Sequence, residues 1–256
     1  SIKHKIEAVG TPLKDWDINI YRGVLTGCNE AFIITTEKRN EILANCQTEE
    51  ERGRTKELIR PILRGRDIKR YGYEWADLWL IATFPSRHYD IEEYPAVKTY
   101  LLSFGIERLE QTGKKYVING EEVKARKKTN NKWFETQDSI NYWQDFLNPK
   151  LFYADITQRL NFCLCKEVMF CNNTTYFISA KDEAILEHLK VYLNSPLIDW
   201  YYRTLSVQLG ESAVRMFSIY VLEIPIPPIT QKDIYKAYNL SQSEIDYIEK
   251  LAKLTY

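Results

Sequence analysis

The chain has 256 residues, of which 45% are hydrophobic and 27% charged, and its 35 Lys and Arg residues are balanced by 35 Asp and Glu residues. This composition is ordinary for a soluble globular protein of one large domain or two small ones, and it holds neither a membrane-spanning apolar run nor a signal peptide. Five Cys residues, an odd number, do not suggest a disulfide framework, so we expect a reducing, cytoplasmic location.

The first elements are extended. Residues 1–17 are predicted to be a linker, and because the sequence starts without Met we expect it to be part of a longer protein. Two extended runs follow at 18–25 and 31–35. Gly27 separates them, at a turn that requires a positive φ.

Two short helices are predicted next. The first is capped by Thr35 or Thr36. The second starts at Thr48, whose spacing to Glu51 is that of a capping box, and it stops at Pro61.

The middle of the chain is predicted to be rich in strands. An apolar strand at 77–84 precedes a helix at 94–110. The dipeptide Asn119-Gly120 between two extended runs is favoured for the type I′ turn of a β-hairpin. Further strands are predicted at 150–156 and 160–180.

The last quarter of the chain is predicted to be helical. Residues 183–205 carry apolar side chains at helical spacing, with a break at Pro196. An extended Pro-rich connector at 221–230 leads to a final helix, for which Ser241 and Glu244 form a capping box.

Strands and helices are thus segregated along the sequence, which favours an α+β fold over a doubly wound sheet. We predict a mixed, mostly antiparallel, sheet-based domain at 18–180. A helical C-terminal region at 181–256 is expected to pack on it.

The sequence shows no catalytic constellation of its own. Glu122 and Lys124 have a nuclease-like spacing, but they fall on an exposed hairpin without an acidic partner. Cys163 and Cys165 lack the ligand spacing of a zinc site, and His188 is expected to be structural. Phosphate loops, dinucleotide fingerprints and the Asn/Asp-Pro-Pro-aromatic motif of adenine-N6 methyltransferases are absent, so no catalytic residue, metal or cofactor is expected in this chain.

Polar groups suited to nucleic acid are abundant, in contrast. Eighteen Tyr and six Trp accompany basic stretches at 64–70 and 114–132. Lys and Arg contact phosphates, whereas Arg, Asn and Gln also recognise base edges. The candidate DNA-binding residues are Arg64, Arg66, Lys69, Arg70, Arg126, Lys127, Lys128, Gln158, Arg159, Asn172 and Asn173.

Several short stretches, including IRPILRGRDIKRYGYEW, CNNTTYFIS and LKVYLNSPLIDWYYRTLS, follow one another in a characteristic order. In order and spacing they resemble the TaqI-like C-terminal specificity domain, and the resemblance spans about residues 10–230. Each stretch is short, so their arrangement carries the resemblance rather than any single motif.

This resemblance implies the target recognition domain of an adenine-N6 DNA methyltransferase, which many family members carry within a single-chain type II restriction-modification enzyme. The implied partners are double-stranded DNA and an N-terminal methyltransferase domain of the same chain, with no membrane. S-adenosylmethionine, and magnesium if the parent also cuts DNA, are expected in that missing part. The fragment is expected to be no enzyme, while the parent is expected to be an adenine-specific DNA methyltransferase with or without endonuclease activity.

The resemblance also implies a division of labour within the chain. The positive charge at 64–70 would mostly contact phosphate. Our own hypothesis is that Asp67 holds part of the cluster in place and that three arginines clamp a phosphate. These clamp residues are Arg64, Arg66 and Arg70. Bases would be recognised from 86–132 and 157–174. There the candidates for groove contacts are Lys127, Lys128 and Arg159.

Two other classes stay open. In a protein-interaction domain the tyrosines would form an apolar patch, and binding would survive high salt. In a stand-alone magnesium-dependent nuclease the fragment itself would cleave DNA.

Overall fold

The structure, a computed structural model, describes residues 1–70 and 72–255. Short strands and helices alternate along the chain. The strands are β1 Thr11–Pro12, β2 Ile18–Arg22, β3 Ile33–Thr35, β4 Ile59–Leu63, β5 Ile68–Lys69, β6 Gly72–Tyr73, β7 Leu78–Ile81, β8 Lys115–Ile118, β9 Glu121–Lys124, β10 Lys150–Ala154, β11 Ile156–Thr157, β12 Cys163–Cys165, β13 Phe170–Cys171, β14 Thr175–Ala180, β15 Gln208–Leu209, β16 Ala213–Arg215 and β17 Pro225–Ile226.

Of the α-helices in the described residues, the two longest, α7 and α11, lie in the last third of the chain. The α-helices are α1 Ile2–Val9, α2 Asn29–Phe32, α3 Thr36–Ala44, α4 Glu49–Leu58, α5 Pro95–Leu102, α6 Ile106–Leu109, α7 Glu183–Leu193, α8 Pro196–Leu205, α9 Ser218–Val221, α10 Ile234–Ala237 and α11 Gln242–Thr255. Short 3₁₀ helices lie at Leu13–Asp15, Gly65–Asp67, Pro85–Arg87, Ile91–Glu93 and Trp143–Leu147.

A central antiparallel sheet, in the strand order β12, β10, β14 and β2, separates two hydrophobic cores. Because side chains alternate along a strand, β10 and β14 contribute to both cores. Phe152 and Phe177 lie opposite each other and belong to the first core. Leu151 and Ile178 form the neighbouring pair and belong to the second core. The sheet is therefore buried on both faces.

The first core lies between the central sheet and a second four-stranded sheet, ordered β13, β4, β7 and β3. In this second sheet β13 runs parallel to β4, and the other pairs are antiparallel. Aromatic rings fill the space between the sheets. The ring centroid of Phe146 lies 4.5 Å from that of Phe170 and 4.6 Å from that of Phe177. Such close ring pairs add to the stabilisation from buried area.

The second core joins the other face of the central sheet to α1, α7, α8 and α11. Residues 1–17, which the sequence predicts as a linker, contribute α1 and β1 to it. Strand β1 pairs with β17, and Lys5 Nζ lies 2.8 Å from a carboxylate oxygen of Glu244. The predicted boundary at residue 180 between a strand-rich domain and a helical region stays a prediction. Strands β10 and β14 of the central sheet contribute side chains to both cores.

The α+β fold class is confirmed, and so are several local signals. The hydroxyl of Thr35 accepts from the Lys38 amide and starts α3. Asn119 and Gly120 have φ angles of 51° and 80°, and they connect β8 to β9 in a hairpin. Positive φ at both positions is the requirement of a type I′ turn. Gly27 also has the expected positive φ, at 80°.

Other predictions need correction. The helix expected at 94–110 is split into α5 and α6, because Gly105 adopts a φ of 86° between them. The Glu51 carboxylate accepts from the amides of Gln47 and Ala96 at 2.8 and 3.0 Å. Thr48 starts α4 as predicted, since its hydroxyl accepts from the Glu51 amide at 3.0 Å, but the Glu51 carboxylate caps the start of α5 instead of binding the Thr48 amide. Within the described residues, no helix has the length and apolarity to cross a bilayer.

Candidate nucleic-acid interface

One end of the central sheet gathers much of the predicted DNA-binding set. Here β2 and β10 finish at Arg22 and Ala154, and β14 begins at Thr175. We call this end the Thr174 end, after the residue at the tip of the turn between β13 and β14. The opposite end carries Ile18 and Ala180.

The Thr174 turn holds neighbouring segments together by hydrogen bonds. The Thr174 hydroxyl accepts from the Gly65 amide at 2.9 Å and donates to Asn172 Oδ1 at 2.6 Å. Its carbonyl oxygen accepts from the Asp155 amide at 3.0 Å. The 3₁₀ turn Gly65–Asp67 is thus attached to the turn between β13 and β14, and the end of β10 is attached to the same point.

Within the basic cluster at 64–70, Arg64 forms an ion pair with Asp67. The Asp67 carboxylate, 4% exposed, accepts from Arg64 Nη2 at 3.0 Å, from Nε at 3.2 Å and from the Arg64 amide at 2.8 Å. This confirms the expectation that Asp67 holds part of the cluster in place. A bidentate pair of this kind fixes the guanidinium in one orientation.

Arg66 and Lys69 differ from Arg64, because neither side chain forms an ion pair or hydrogen bond with another residue in the described part of the chain. Both are exposed, and both line one cleft between the 3₁₀ turn and β11. The cleft is lined by Gly65, Arg66, Ile68, Lys69, Ala154, Ile156, Thr157, Gln158 and Asn161. It therefore joins two cations to two carboxamides and includes no carboxylate in its lining.

The remaining basic residue of the cluster, Arg70, lines an adjoining pocket with Lys190 and Asn194. Arg70 lies outside the cleft, although Phe162 in this second pocket directly follows Asn161 in the chain. The three-arginine clamp is consequently divided, since Arg64 is paired, Arg66 lines the cleft and Arg70 lines its neighbour.

Arg126 does not fit the predicted role of a DNA contact. Its side chain, 4% exposed, donates to the carbonyl oxygens of Leu109, Thr26 and Trp133 at 2.8, 2.6 and 2.8 Å. Burial lowers the pKa of Arg126 to about 10, so it stays charged at neutral pH. The prediction for this residue is wrong, because Arg126 joins three backbone segments inside the first core region.

Lys127 and Lys128, which follow Arg126, are exposed. Lys127 is close enough to Asp138 for its positive charge to lower the pKa of that carboxyl. The dominant effect on Asp138 is burial, which raises its pKa above the usual range. The Asp138 carboxylate also accepts from the Leu25 amide at 3.3 Å.

Arg22 is an interface candidate that sequence reasoning missed. It is exposed at the end of β2, and its charge acts on the half-buried carboxyls of both Asp138 and Asp155. Burial raises the pKa of Asp155, while Arg215 and Arg22 oppose the shift. Nothing in the sequence around Arg22 distinguishes it from an ordinary surface cation, because its two neighbours come from distant segments.

Asn172, another predicted DNA contact, has a structural role at the Thr174 turn. It is buried, and its Oδ1 accepts from both the amide and the hydroxyl of Thr174. Asn173 is half-buried at the same turn. Gln158 is exposed on the loop after β11, and Arg159 beside it is half-buried.

Glu122 and Lys124, the candidate residues of the nuclease hypothesis, are exposed on the surface. Glu122 and Lys124 lie on the exposed hairpin, and Glu122 is 3.9 Å from Lys115 Nζ. Among residues 1–70 and 72–255, no three His, Cys, Asp or Glu side chains form a group that could hold a metal ion. His188 is structural as expected, with Nε2 2.8 Å from the Pro227 carbonyl oxygen.

Comparison with known proteins gives one family and a shared fold. The family model described as TaqI-like C-terminal specificity domain matches residues 60–226. No curated protein matches the chain by sequence.

Among solved structures, the chain is similar to the Type IIL restriction-modification enzyme MmeI in complex with DNA, with a TM-score of 0.52 and 15% identity over 83% of this chain and 25% of that one. It is also similar to the type IIG restriction endonuclease BpuSI, with a TM-score of 0.54 and 12% identity over 97% of this chain and 27% of that one. At these identities the likeness is one of fold. The chain spans about a quarter of each of the two proteins.

Proposed function

The chain belongs to the TaqI-like C-terminal specificity domain family, and from this membership we propose that it recognises a specific sequence in double-stranded DNA on behalf of a longer DNA-modifying enzyme. The observation that carries the proposal is the cleft lined by Arg66 and Lys69, whose side chains have no hydrogen-bond or ion-pair partner among the described residues. Cations that are not already paired can bind backbone phosphates without first breaking an ion pair.

Further cations along the Thr174 end support a duplex rather than a single anion as the ligand. Arg22 ends β2, and Arg215 lies opposite Ile156 in the pairing of β11 with β16. Lys127, like Arg22, lies near Asp138. The chain is neutral overall, so a face of this kind concentrates positive charge locally.

The catalytic step belongs, in this proposal, to an N-terminal methyltransferase domain of the same polypeptide that binds S-adenosylmethionine. An enzyme that modifies a base must extrude it from the stack, so a separate module that holds the duplex in register is physically useful. Support comes from MmeI and BpuSI, in which the similar region covers about a quarter of the chain. Endonuclease activity in the parent, with magnesium as its ion, is a weaker extension of the same proposal.

The glycine pair Gly23 and Gly27 does not fit the role of a loop that binds S-adenosylmethionine. Gly23 and Gly27 are closely spaced in the sequence, as in a cofactor loop, but a Cβ atom at Gly23 would lie 1.8 Å from the Asn172 carbonyl oxygen. At Gly27 it would lie 2.7 Å from Arg126 Cδ. Both glycines therefore pack against the chain itself, and no catalytic step is assigned to this region.

The experiment that tests DNA recognition measures binding of labelled duplex DNA by fluorescence anisotropy across a salt series. The wild-type affinity should fall linearly in a log–log plot against salt. The double variant Arg66→Glu with Lys69→Glu should weaken binding to all duplexes and reduce the slope by about one for each lost phosphate contact.

Lys181→Glu is the matched control, because Lys181 is exposed just beyond Ala180 at the opposite end of the central sheet. It should leave the slope unchanged. Equal effects of the double variant and the control, or wild-type affinity that does not depend on salt, would reject the proposed interface.

A further inference from the structure

The loop at 158–162, which forms one wall of the cleft, is anchored to the helical region at several points. The Leu160 amide donates to Asp199 Oδ2 at 2.9 Å. The Phe162 amide donates to Asn194 Oδ1 at 2.7 Å, and the Phe162 carbonyl oxygen accepts from Asn194 Nδ2 at 2.9 Å. These bonds fix the backbone of the loop on α7 and α8.

Arg203 adds a further anchor at the start of the loop. Its guanidinium donates through Nη2 to the Gln158 carbonyl oxygen and through Nε to Asp199 Oδ1 at 2.7 Å. Asp199 is buried, so this ion pair is sheltered from solvent. The Gln158 backbone is consequently held by the same Arg–Asp pair that holds Leu160.

Side chains of the loop divide between the core and the cleft. Leu160 and Phe162 are 1% and 2% exposed and belong to the second core. Gln158 and Asn161 line the cleft instead. Their carboxamide groups form no hydrogen bond with any other residue in the described part of the chain. Gln158 is exposed and Asn161 is half-buried, so both carboxamides are accessible to a ligand in the cleft.

A carboxamide presents a donor and an acceptor side by side. In the major groove, adenine offers the complementary acceptor N7 and donor N6, and Asn or Gln can bind both. Arg66 and Lys69, which line the same cleft, supply charges that would fix a backbone phosphate next to the base.

We propose that the cleft receives one strand of a DNA duplex, and that Gln158 and Asn161 select an adenine in the major groove while Arg66 and Lys69 hold an adjacent phosphate. The inference rests on the proposed function and narrows it to a base identity. The anchored loop reduces the entropy lost on binding, since the carboxamides are carried on backbone that is already fixed.

The test is selection of bound duplexes from a library with a randomised segment, followed by sequencing, with the full chain as wild type and as variants. The wild type should select a motif that requires an A·T pair. Gln158→Ala and Asn161→Ala should each reduce the preference at that pair by roughly 5- to 150-fold and keep the other positions. Gln158→Glu should move the preference from adenine towards cytosine, because a carboxylate accepts from cytosine N4.

Gln231→Glu serves as the control for the added charge, since Gln231 is exposed on the connector after β17 and should leave the motif unchanged. Thermal unfolding of each variant verifies that the fold is intact. If the Gln158 and Asn161 variants select the wild-type motif with wild-type affinity, the adenine assignment is overturned and DNA recognition stands. A wild type that selects no motif and binds duplex no better than the Arg66→Glu variant overturns both.

Discussion

The amide of Gly65 donates to the hydroxyl of Thr174 at 2.9 Å, across 109 residues of sequence. Because the same hydroxyl donates to Asn172, the 3₁₀ turn that carries Arg66 is positioned by the turn between β13 and β14. The side of the cleft for which we propose phosphate binding therefore depends on contacts that are distant in sequence. A change that moves this turn is expected to affect stability and DNA affinity together.

Gly65→Ala tests this dependence. A Cβ atom at Gly65 would lie 2.7 Å from the Thr174 carbonyl oxygen, and that oxygen already accepts from the Asp155 amide. We expect the free energy of unfolding, measured by urea denaturation, to fall by about 1–3 kcal/mol.

Gly53→Ala is the control, because Gly53 lies inside α4 and an added methyl group would have no neighbouring atom within 4 Å. This replacement should stabilise the protein by roughly 0.5–1 kcal/mol. An unchanged free energy of unfolding for Gly65→Ala would show that the turn can shift freely.

Local signals in the sequence predicted much of the fold, whereas the distinction among similar cations required the tertiary structure. Thr35 and Asn119-Gly120 act within a few residues, so their cap and turn could be foreseen. Arg64 and Arg66 are the same residue type in the same basic stretch, but only Arg64 forms an ion pair with Asp67.

Arg126 shows even more clearly that the sequence alone does not distinguish a buried cation from an exposed one. It resembles its neighbours Lys127 and Lys128 in charge, but its hydrogen-bond acceptors come from Thr26, Leu109 and Trp133. Since such partners are assembled only by folding, no short motif could have removed Arg126 from the predicted DNA-binding set.

Arg126→Met is accordingly expected to act on stability. The replacement leaves three carbonyl oxygens without their charged donor in a buried region, and we expect a loss of about 3 kcal/mol in the free energy of unfolding. Lys128→Met, at an exposed position nearby, should stay within about 0.5 kcal/mol of wild type. Similar denaturation midpoints for the two variants would contradict the structural role of Arg126.

Lys127 and Lys128 are expected to act on DNA affinity instead. Gln at both positions removes two exposed charges and leaves the fold unchanged. Affinity for specific and random duplexes should fall by the same factor, with a decrease of about one in the salt slope for each phosphate contact removed. A loss confined to the selected motif would instead make one of these lysines a base contact.

Asp138 and Asp155 are expected to make DNA binding depend on pH. Burial raises the pKa of both carboxyls, and Arg22 opposes the shift in each. A DNA phosphate bound near Arg22 adds negative potential and raises both pKa values further, so the complex binds more protons than the free protein. By linkage, affinity should increase as the pH is lowered from neutral towards the raised pKa values of the two carboxyls.

The double variant Asp138→Asn with Asp155→Asn should bind DNA more tightly than wild type at neutral pH and lose most of this pH dependence. Asp17→Asn is the control, because Asp17 is exposed next to Ile18 at the opposite end of the central sheet. It should keep the wild-type pH profile, measured by anisotropy at constant ionic strength. A double variant with the same profile as wild type would mean that neither carboxyl faces the duplex, and the interface would then have to lie away from Arg22.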